Sequence, residues 1–271
     1  MLDLDPARDG PPPREAATLV LVRDSERGLE LFCVERNKKS RFLGGAIVFP
    51  GGRVEDDDRG DAWKPFVTQD DELRAFGVAA CRETLEEAAL LLADSPTPDA
   101  EVLALRERLA ADPSALRAYL SEHGKRLALG ALVPLARWIT PKVESRRFDA
   151  RFFVARAPDG QRGAHDMTET MASFWDAPRA ILDRFDRGEI QLAPPTHRTL
   201  EILAECKDVA AALATARAAC LDPVCPELVQ QGDTMALVLP GDPQHSVKDV
   251  RVPGRTRYVL RETLWRPEDA P

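Results

Sequence analysis

Phe49-Pro-Gly-Gly-Arg-Val-Glu55 and Arg82-Glu-Thr-Leu-Glu-Glu87 are the two stretches of this sequence that carry the strongest structural signal. A helix over residues 76–90 turns by about 100° per residue and so collects apolar side chains along one stripe. The stripe consists of Val78, Cys81, Leu85, Ala88 and Leu92, and the opposite face carries Glu83, Glu86 and Glu87. The sequence therefore predicts an amphipathic helix with a concentrated acidic face.

The acidic face has two explanations. Carboxylates three and four residues apart repel one another, so grouping them costs stability unless a cation intervenes. Magnesium takes oxygen ligands and keeps several waters, so a few carboxylates and substrate phosphates are enough to hold it. Arg82 is placed to pair with Glu86 and fix one carboxylate. Any amphipathic helix also turns glutamates toward water, and the acidic face taken alone favours that explanation.

The glycine segment shifts the balance toward a metal site. Gly51 and Gly52 follow an apolar stretch, where they supply backbone freedom and close approach to a ligand. Together the two motifs indicate a site that holds a divalent metal and splits a diphosphate.

With both motifs in place, the chain resembles the Nudix hydrolase family. The box of that family runs Gly, five residues, Glu, seven residues, then Arg-Glu-apolar-x-Glu-Glu-x-Gly-apolar, and Gly52 and residues 82–87 match its two ends. Gly52 and Arg82 lie thirty positions apart, which implies an insertion of sixteen residues. Arg74 stands where the early glutamate is expected; Glu55 and Glu72 are the nearest substitutes, and that role stays unassigned.

The end of the box also departs from the pattern. Thr84 fills an apolar position, and Ala89 replaces the glycine that lets the chain leave the helix. An alanine at positive φ costs about 1 kcal/mol, so we expect the helix to run one turn further and to bring Leu90 onto the acidic face.

The lengthened box, preceded by Ala46-Ile-Val-Phe-Pro-Gly-Gly52, is similar to the Nudix branch that includes the peroxisomal coenzyme A and acyl-CoA diphosphatases. Three later segments also resemble that branch: Ala136-Arg-Trp-Ile-Thr-Pro141, Arg146-Arg-Phe-Asp-Ala-Arg-Phe-Phe153 and Leu192-Ala-Pro-Pro-Thr196. The resemblance implies an α+β fold, a Nudix α/β/α sandwich with a mixed sheet over residues 17–205. We expect a flexible segment at 1–16, a helical insertion at about 94–128 and an extension at 206–271 packed on the same domain.

The resemblance also implies roles for individual residues. Glu83, Glu86 and Glu87 are the expected ligands of Mg²⁺ or Mn²⁺, with the Gly51 carbonyl as a further ligand. The candidate catalytic residues are Arg82, Glu86, Glu87 and Glu169. The general base is a box glutamate or one from a later loop, and Glu169 represents the second source. Because helical character is expected over 168–187, a favourable helix-dipole position explains Glu169 equally well.

The candidate substrate-binding segment is the densest basic run of the sequence, Arg36-Asn-Lys-Lys-Ser-Arg41. Its charged residues Arg36, Lys38, Lys39 and Arg41, with Gly51 and Gly52, are suited to adenosine phosphates, although solvated loop charge is an even alternative. Weaker candidates are Arg146, Arg147 and Arg151. For an acyl thioester, the apolar end needs a groove, which we expect the helical cap at 99–127, with helices at 99–111 and 114–127, to form. His165 and His197 are expected in core or surface roles.

Composition limits the partners and the compartment. A chain of 271 residues with 44% hydrophobic content can bury one sizeable core. The net charge of −8 and the pI near 5.2 argue against nonspecific nucleic-acid binding. Five cysteines without paired metal-ligand spacing favour reduced thiols in a cytoplasm. The apolar stretches are too short to span a bilayer, so no membrane partner is expected.

Other segments predict the remaining elements. Runs at 18–22 and 29–35 around a charged turn predict a hairpin, and strands are expected at 46–49, 131–139 and 148–155. A long alanine-rich helix is expected over 199–219, followed by a small β appendage with strands at 235–239 and 258–260.

Three functions remain open. The first is a diphosphatase for coenzyme A or acyl-CoA, which releases adenosine 3′,5′-bisphosphate and a phosphopantetheine product. The second is the same chemistry on ADP-ribose or NADH. The third is a non-catalytic module that binds nucleotide. Homodimers are common in the family that the chain resembles.

Overall fold

A computed structural model describes residues 3–37, 44–166 and 168–270. The described strands are β1 (Arg14–Ser25), β2 (Gly28–Arg36), β3 (Ala46–Val48), β4 (Gly51–Arg53), β5 (Val133–Ile139), β6 (Phe148–Arg156), β7 (Thr170–Asp176), β8 (Gln191–Leu192), β9 (Pro223–Val224), β10 (Glu227–Gln231), β11 (Thr234–Val238), β12 (Arg257–Arg261) and β13 (Leu264–Glu268). The α-helices are α1 (Arg74–Ala88), α2 (Asp99–Ala111), α3 (Ala115–Glu122), α4 (Pro178–Asp186), α5 (Pro194–Ala204) and α6 (Val209–Arg217).

A mixed sheet of nine described strands forms the centre of the fold. Seven run in the order β8-β3-β2-β1-β6-β5-β9, while β4 pairs with β1 and β7 with β2. The β1–β6 ladder is parallel and the β1–β2 hairpin is antiparallel. The hairpin confirms the sequence prediction, because Gly28 at φ 99° closes the turn that the charged segment indicated.

The two faces of the sheet bury different sets of elements. Along β1, Ala17, Leu19 and Leu21 join a core with α1, α2 and α3, whereas Val20 and Val22 join a second core with α4, α5 and α6. Alternate residues of a strand point to opposite faces, so a strand covered on both sides reads as a nearly continuous apolar run. Helices on both faces give the expected α+β sandwich.

The acidic helix ends earlier than expected. α1 stops at Ala88, and Ala89 takes the left-handed conformation at φ 49°, ψ 47°, with its N–H donating to the Leu85 carbonyl at 3.0 Å. The expected extra turn is therefore wrong, and Leu90 lies in the core instead of on the acidic face. Burial of the Ala89 methyl contributes about 0.8 kcal/mol, which largely offsets the strain.

Two predicted helices have a different structure. The segment before α4 is the strand β7, which pairs with β2 from Leu31↔Asp176 to Arg36↔Thr170, so the helical prediction for 168–187 is right only for its second half. The long alanine-rich helix is two helices, because Asp208 starts α6 by accepting a hydrogen bond from Ala211 N at 2.8 Å.

The N-terminal segment is held by contacts with the loop before β6. Asp3 N donates to Glu144 Oε2 and Gly10 N to the Lys142 carbonyl, both at 2.7 Å, and β1 begins at Arg14. These contacts differ from the flexible segment expected at 1–16, because a charged, proline-rich segment can still be ordered by its hydrogen-bond partners elsewhere in the chain.

The last strands form a second, antiparallel sheet in the order β10-β11-β12-β13. Leu237, Tyr258 and Trp265 from this sheet belong to the same core as α4, α5 and α6. Arg257 and Asp242 make an ion pair at 2.8 Å with both side chains at 0% exposure. The sheet thus confirms the predicted β appendage and packs against the main sheet and its helices. In the described residues, no helix is long and apolar enough to cross a membrane.

Candidate active site

The glycine turn and the acidic helix meet at the edge of the main sheet. Gly51 N donates to Glu87 Oε2 at 3.0 Å, which ties the turn to the last acidic residue of α1. A Cβ at Gly52 would overlap the carboxylate of Glu83, and one at Gly51 would overlap the Ala17 carbonyl. A side chain at Gly51 would collide with backbone, whereas one at Gly52 would displace the Glu83 carboxylate from the turn.

The box carboxylates are crowded and partly buried. Glu87 is 4% exposed, and burial raises its pKa to about 8, with the charge of Glu83 adding to the shift. Burial also raises the pKa of Glu83 to about 7, against the opposing effect of Arg82, and raises the pKa of Glu86. Burial and mutual repulsion of the carboxylates thus outweigh the stabilisation that Arg82 and Arg36 give their charged forms.

Arg82 is held mainly by a residue that the sequence analysis missed. Its Nε and Nη2 donate to the two carboxylate oxygens of Asp58, both at 3.0 Å, while Nη1 donates to Glu83 at 2.9 Å and to Glu86 at 3.4 Å. Asp58 is 0% exposed. The predicted Arg82–Glu86 pair is present, but it is the longest of these contacts.

Asp58 lies six positions after Gly52, where the family's box places its early glutamate. The inserted residues therefore follow position 58, and counting forward from Gly52 would have found the acid. Glu55 instead pairs with Arg53 at 3.0 Å, and Glu72 is exposed. Arg74 bonds to the Gly60 carbonyl at 2.7 Å, outside the acidic cluster.

Glu169 lines the same cavity as the box glutamates, and its charge contributes to raising the pKa of Glu83, Glu86 and Glu87. It lies just before the strand β7, so a helix dipole does not explain it. Its loop is fixed by the Asp166 carboxylate, which accepts hydrogen bonds from the backbone N–H groups of residues 168–170 at 2.8–3.0 Å.

The donor set fits a hard divalent cation. Glu83, Glu86 and Glu87 offer only oxygen, and the missing Cβ of Gly52 leaves room for the Glu83 carboxylate beside the turn. In the described parts of the chain, no three acidic, histidine or cysteine side chains already form a coordinating cluster. Arg82 Nη1 lies between the Glu83 and Glu86 carboxylates instead.

The predicted phosphate-binding residues divide into several groups. Arg36 lines the cavity 4.0 Å from Glu87 Oε1, and within the described residues its buried Nε has no hydrogen-bond partner. Lys38, Lys39 and Arg41 lie outside the described residues. Arg146 also lines the cavity.

The other predicted cations and the two histidines lie elsewhere. Arg147 bonds to the Thr140 carbonyl at 3.1 Å, and Arg151 stacks over Phe76. His197 is buried against Phe185, as a core role predicts, and His165 contacts Ser173.

The box glutamates, Arg36, Arg82 and Glu169 surround one end of a cavity of about 700 Å³. Its other end is lined largely by apolar residues of β5, β6, the start of α5 and the C-terminal strands. None of the described residues of α2 or α3 lines it, so the groove expected between those helices is not part of this cavity. The sheet separates them, because α2 and α3 pack in the core of the opposite face.

The comparisons with known proteins agree with this fold. A crystal structure of a Nudix hydrolase from Alicyclobacillus acidocaldarius superposes with a TM-score of 0.66 at 32% identity, covering 75% of this chain and 96% of that chain. The chain belongs to the Nudix hydrolase family.

The match extends to one branch of the family. The model of the NUDT19 Nudix domain matches residues 70–203. The chain is similar to acyl-coenzyme A diphosphatase NUDT19 of Gallus gallus, with 28% identity over 67% of this chain and 65% of that protein. The protein of the same name from Homo sapiens is 24% identical over 79% of this chain and 72% of its own length. The chain thus spans slightly less than two thirds of the chicken relative.

Proposed function

We propose that the protein is a metal-dependent diphosphatase that hydrolyses coenzyme A or acyl-CoA to adenosine 3′,5′-bisphosphate and the corresponding 4′-phosphopantetheine. The observation that carries this proposal is the convergence of the glycine turn, the three box glutamates and Arg82 at one end of a cavity whose other end is apolar. The names of the curated relatives support the same substrate class.

Glu83, Glu86 and Glu87 would hold Mg²⁺ or Mn²⁺, with the Gly51 carbonyl as a further ligand. When bound, the cation would neutralise diphosphate oxygens and activate water for attack on phosphorus. Asp58 fixes Arg82, which in turn positions the Glu83 and Glu86 carboxylates. Arg36 lines the cavity, its buried Nε has no hydrogen-bond partner among the described residues, and it is the proposed contact for a phosphate oxygen of the substrate.

Glu169 is the proposed general base, with a box glutamate as the alternative. It is exposed to solvent and lines the cavity, so its carboxylate is within reach of water there. Replacing Glu169 with Gln should lower kcat and leave KM for the substrate nearly unchanged. A box glutamate would be the base if kcat stays at the wild-type level.

The test is incubation of the purified protein with Mg²⁺ or Mn²⁺ and a panel of coenzyme A, acyl-CoA, ADP-ribose and NADH, with products identified by mass. Release of adenosine 3′,5′-bisphosphate supports the proposal. AMP released only from ADP-ribose or NADH would replace the substrate, and no metal-dependent cleavage by folded protein would favour a binding module. The Glu87→Gln variant should abolish turnover while it keeps the fold, since Glu87 is both a proposed ligand and a neighbour of Gly51.

Two further expectations stay predictions. The described cysteines are all free thiols, which supports a reducing compartment such as the cytoplasm. A homodimer is expected from the family, and sedimentation of the purified protein would test it.

A further inference from the structure

The floor of the cavity crosses four strands of the main sheet. Gly51 of β4 pairs with Thr18 of β1, Ala16 of β1 pairs with Ala150 of β6, and Ala150 pairs with Trp138 of β5. Paired residues of neighbouring strands share a face, and strands lie about 4.8 Å apart. Three steps from β4 to β5, with a shift of two residues along β1, therefore lead about 16 Å from the glycine turn to Trp138.

The middle of this floor is low because its residues are small. Ala16 and Ala150 carry only a methyl group, and Ala150 is half-buried at the cavity surface. Larger side chains, Trp138, Phe148 and Phe152, line the cavity around this low floor. A flexible chain that starts at the glycine turn can thus lie along the floor.

The far wall comes from residues after position 205. Pro226 and Leu237 line the cavity, and both are buried. The C-terminal segment is joined to the rest of the wall at two points: Val224 pairs with Trp138, and the Tyr258 hydroxyl donates to the Pro194 carbonyl at 3.3 Å. The second sheet, through Leu237, therefore contributes to the wall of the cavity.

Charge and apolar surface are separated along the cavity. Arg36, Arg82 and the glutamates surround the glycine turn, whereas Trp138 and Leu237 at the far end are buried apolar side chains. Phe152, also buried and apolar, lies in between, two strands from Gly51. Arg146 also borders the cavity, but it is exposed to solvent. An amphipathic substrate with an anionic head and an apolar tail matches this arrangement in one orientation only.

We propose that the apolar end, walled by β5, β6 and the C-terminal strands, binds the acyl chain of an acyl thioester and sets the preferred chain length. The proposal rests on the proposed function for the assignment of the diphosphate to the glycine turn. It gives the C-terminal sheet a role in specificity, with Leu237 as the back wall and Ala150 as the floor.

Two variants change the apolar end in opposite directions. Ala150→Phe raises the floor, so kcat/KM for octanoyl-CoA relative to coenzyme A should fall by about tenfold or more. Leu237→Ala removes the back wall, so the preferred chain should lengthen and kcat/KM for palmitoyl-CoA relative to octanoyl-CoA should rise several-fold. Leu239→Ala is the matched control, because Leu239 is equally buried in the same core and does not line the cavity.

Binding of S-octanoylpantetheine, which has no diphosphate, is measured by calorimetry on the same folded variants. Wild-type binding that weakens about tenfold in Ala150→Phe and is unchanged in Leu239→Ala supports the proposal. Equal loss for coenzyme A and all acyl thioesters, or no binding of S-octanoylpantetheine to wild type, overturns it. If the probe binds as expected while no coenzyme A compound is cleaved, the proposed function fails and the acyl site stands.

Discussion

Glu87 is an acidic residue at 4% exposure, hydrogen-bonded to Gly51 N and 4.0 Å from Arg36 Nη1. A carboxylate so placed is costly when charged, since burial and the neighbouring Glu83 both disfavour ionisation. A bound cation would compensate that charge. The same residue therefore limits the stability of the metal-free protein and prepares it to bind metal.

This arrangement predicts how stability depends on pH. Unfolded glutamate titrates at 4.5, whereas burial raises the pKa of Glu83 to about 7 and that of Glu87 to about 8 in the folded protein. Between these values the folded state binds more protons than the unfolded state, so the free energy of unfolding falls as pH rises from about 4.5 to 8. Melting temperatures in EDTA should decrease over this range.

Glu87→Gln should flatten the decrease and raise the melting temperature at pH 8, because it removes the least favourable charge. Glu55→Gln is the control, since its side chain is 50% exposed, and it should keep the wild-type slope. Identical slopes for Glu87→Gln and wild type would show that Glu87 is not the group responsible.

Asp58 gives a second prediction at the residue scale. Asp58→Asn leaves the partly buried Arg82 without its bidentate partner, and breaking such a pair costs about 3 kcal/mol. We expect urea unfolding to show that loss, together with a lower kcat, because Arg82 no longer positions Glu83 and Glu86. An effect no larger than that of Glu55→Gln would contradict the role assigned to Asp58.

At the scale of elements, α1 ends with an unusual cap. Ala89 adopts the left-handed conformation that normally favours glycine, while its methyl is buried at 1% exposure. Ala89→Gly relieves backbone strain, which stabilises the folded state by about 1–2 kcal/mol. It also removes a buried methyl worth about 0.8 kcal/mol and makes the unfolded chain more flexible, and both effects lower stability. These terms nearly cancel.

We therefore expect Ala89→Gly to change the free energy of unfolding by less than about 0.5 kcal/mol. Ala80→Gly, equally buried within α1, loses both the methyl and helix propensity and should cost about 1.5 kcal/mol. Denaturant titration of the two variants measures the difference. Equal costs at the two positions would mean that the cap is not strained.

The insertion after Asp58 packs against the helical cap. A short 3₁₀ helix at Asp57–Arg59 leads into the insertion and a second, Asp61–Phe66, follows, and Trp63 from the second is buried in the core with α3. Arg117 of α3 pairs with Asp57 and stacks on Trp63. The insertion and the helical cap thus support each other, on the face of the sheet opposite the apolar end of the cavity.

At the scale of the whole molecule, the C-terminal sheet is part of the second core. Two arginines of its strand β12 form ion pairs that differ in burial. Arg257 pairs with Asp242, both at 0% exposure, and Arg261 pairs with Glu268 at the surface. Removing one partner of a buried pair leaves an uncompensated charge, whereas a surface pair contributes little.

Arg257→Leu should lower the free energy of unfolding by about 3–5 kcal/mol, and Arg261→Leu by less than about 1 kcal/mol. Because the cores are shared, the melting of Arg257→Leu should remain a single transition at lower temperature in calorimetry. A separate early transition would show that the C-terminal sheet unfolds independently of the rest.

Local patterns in the sequence encode several features of this protein. The hairpin, the acidic helix and the glycine turn follow from residue types at fixed spacing, since helix and strand periodicity act over a few neighbours. The family followed from the resemblance of the two motifs to its box. The insertion was visible as extra length between Gly52 and Arg82. Counting six positions forward from Gly52 also identifies Asp58 and so places the insertion after it.

Contacts between residues far apart in the chain became visible in the folded structure alone. It showed Glu87 buried beside Gly51, Asp58 holding Arg82, and β7 as a strand because β2 offers it a partner. It also placed α2 and α3 across the sheet from the apolar end of the cavity and residues after 220 in the cavity wall. Burial and strand pairing depend on partners distant in sequence, and no local pattern records them.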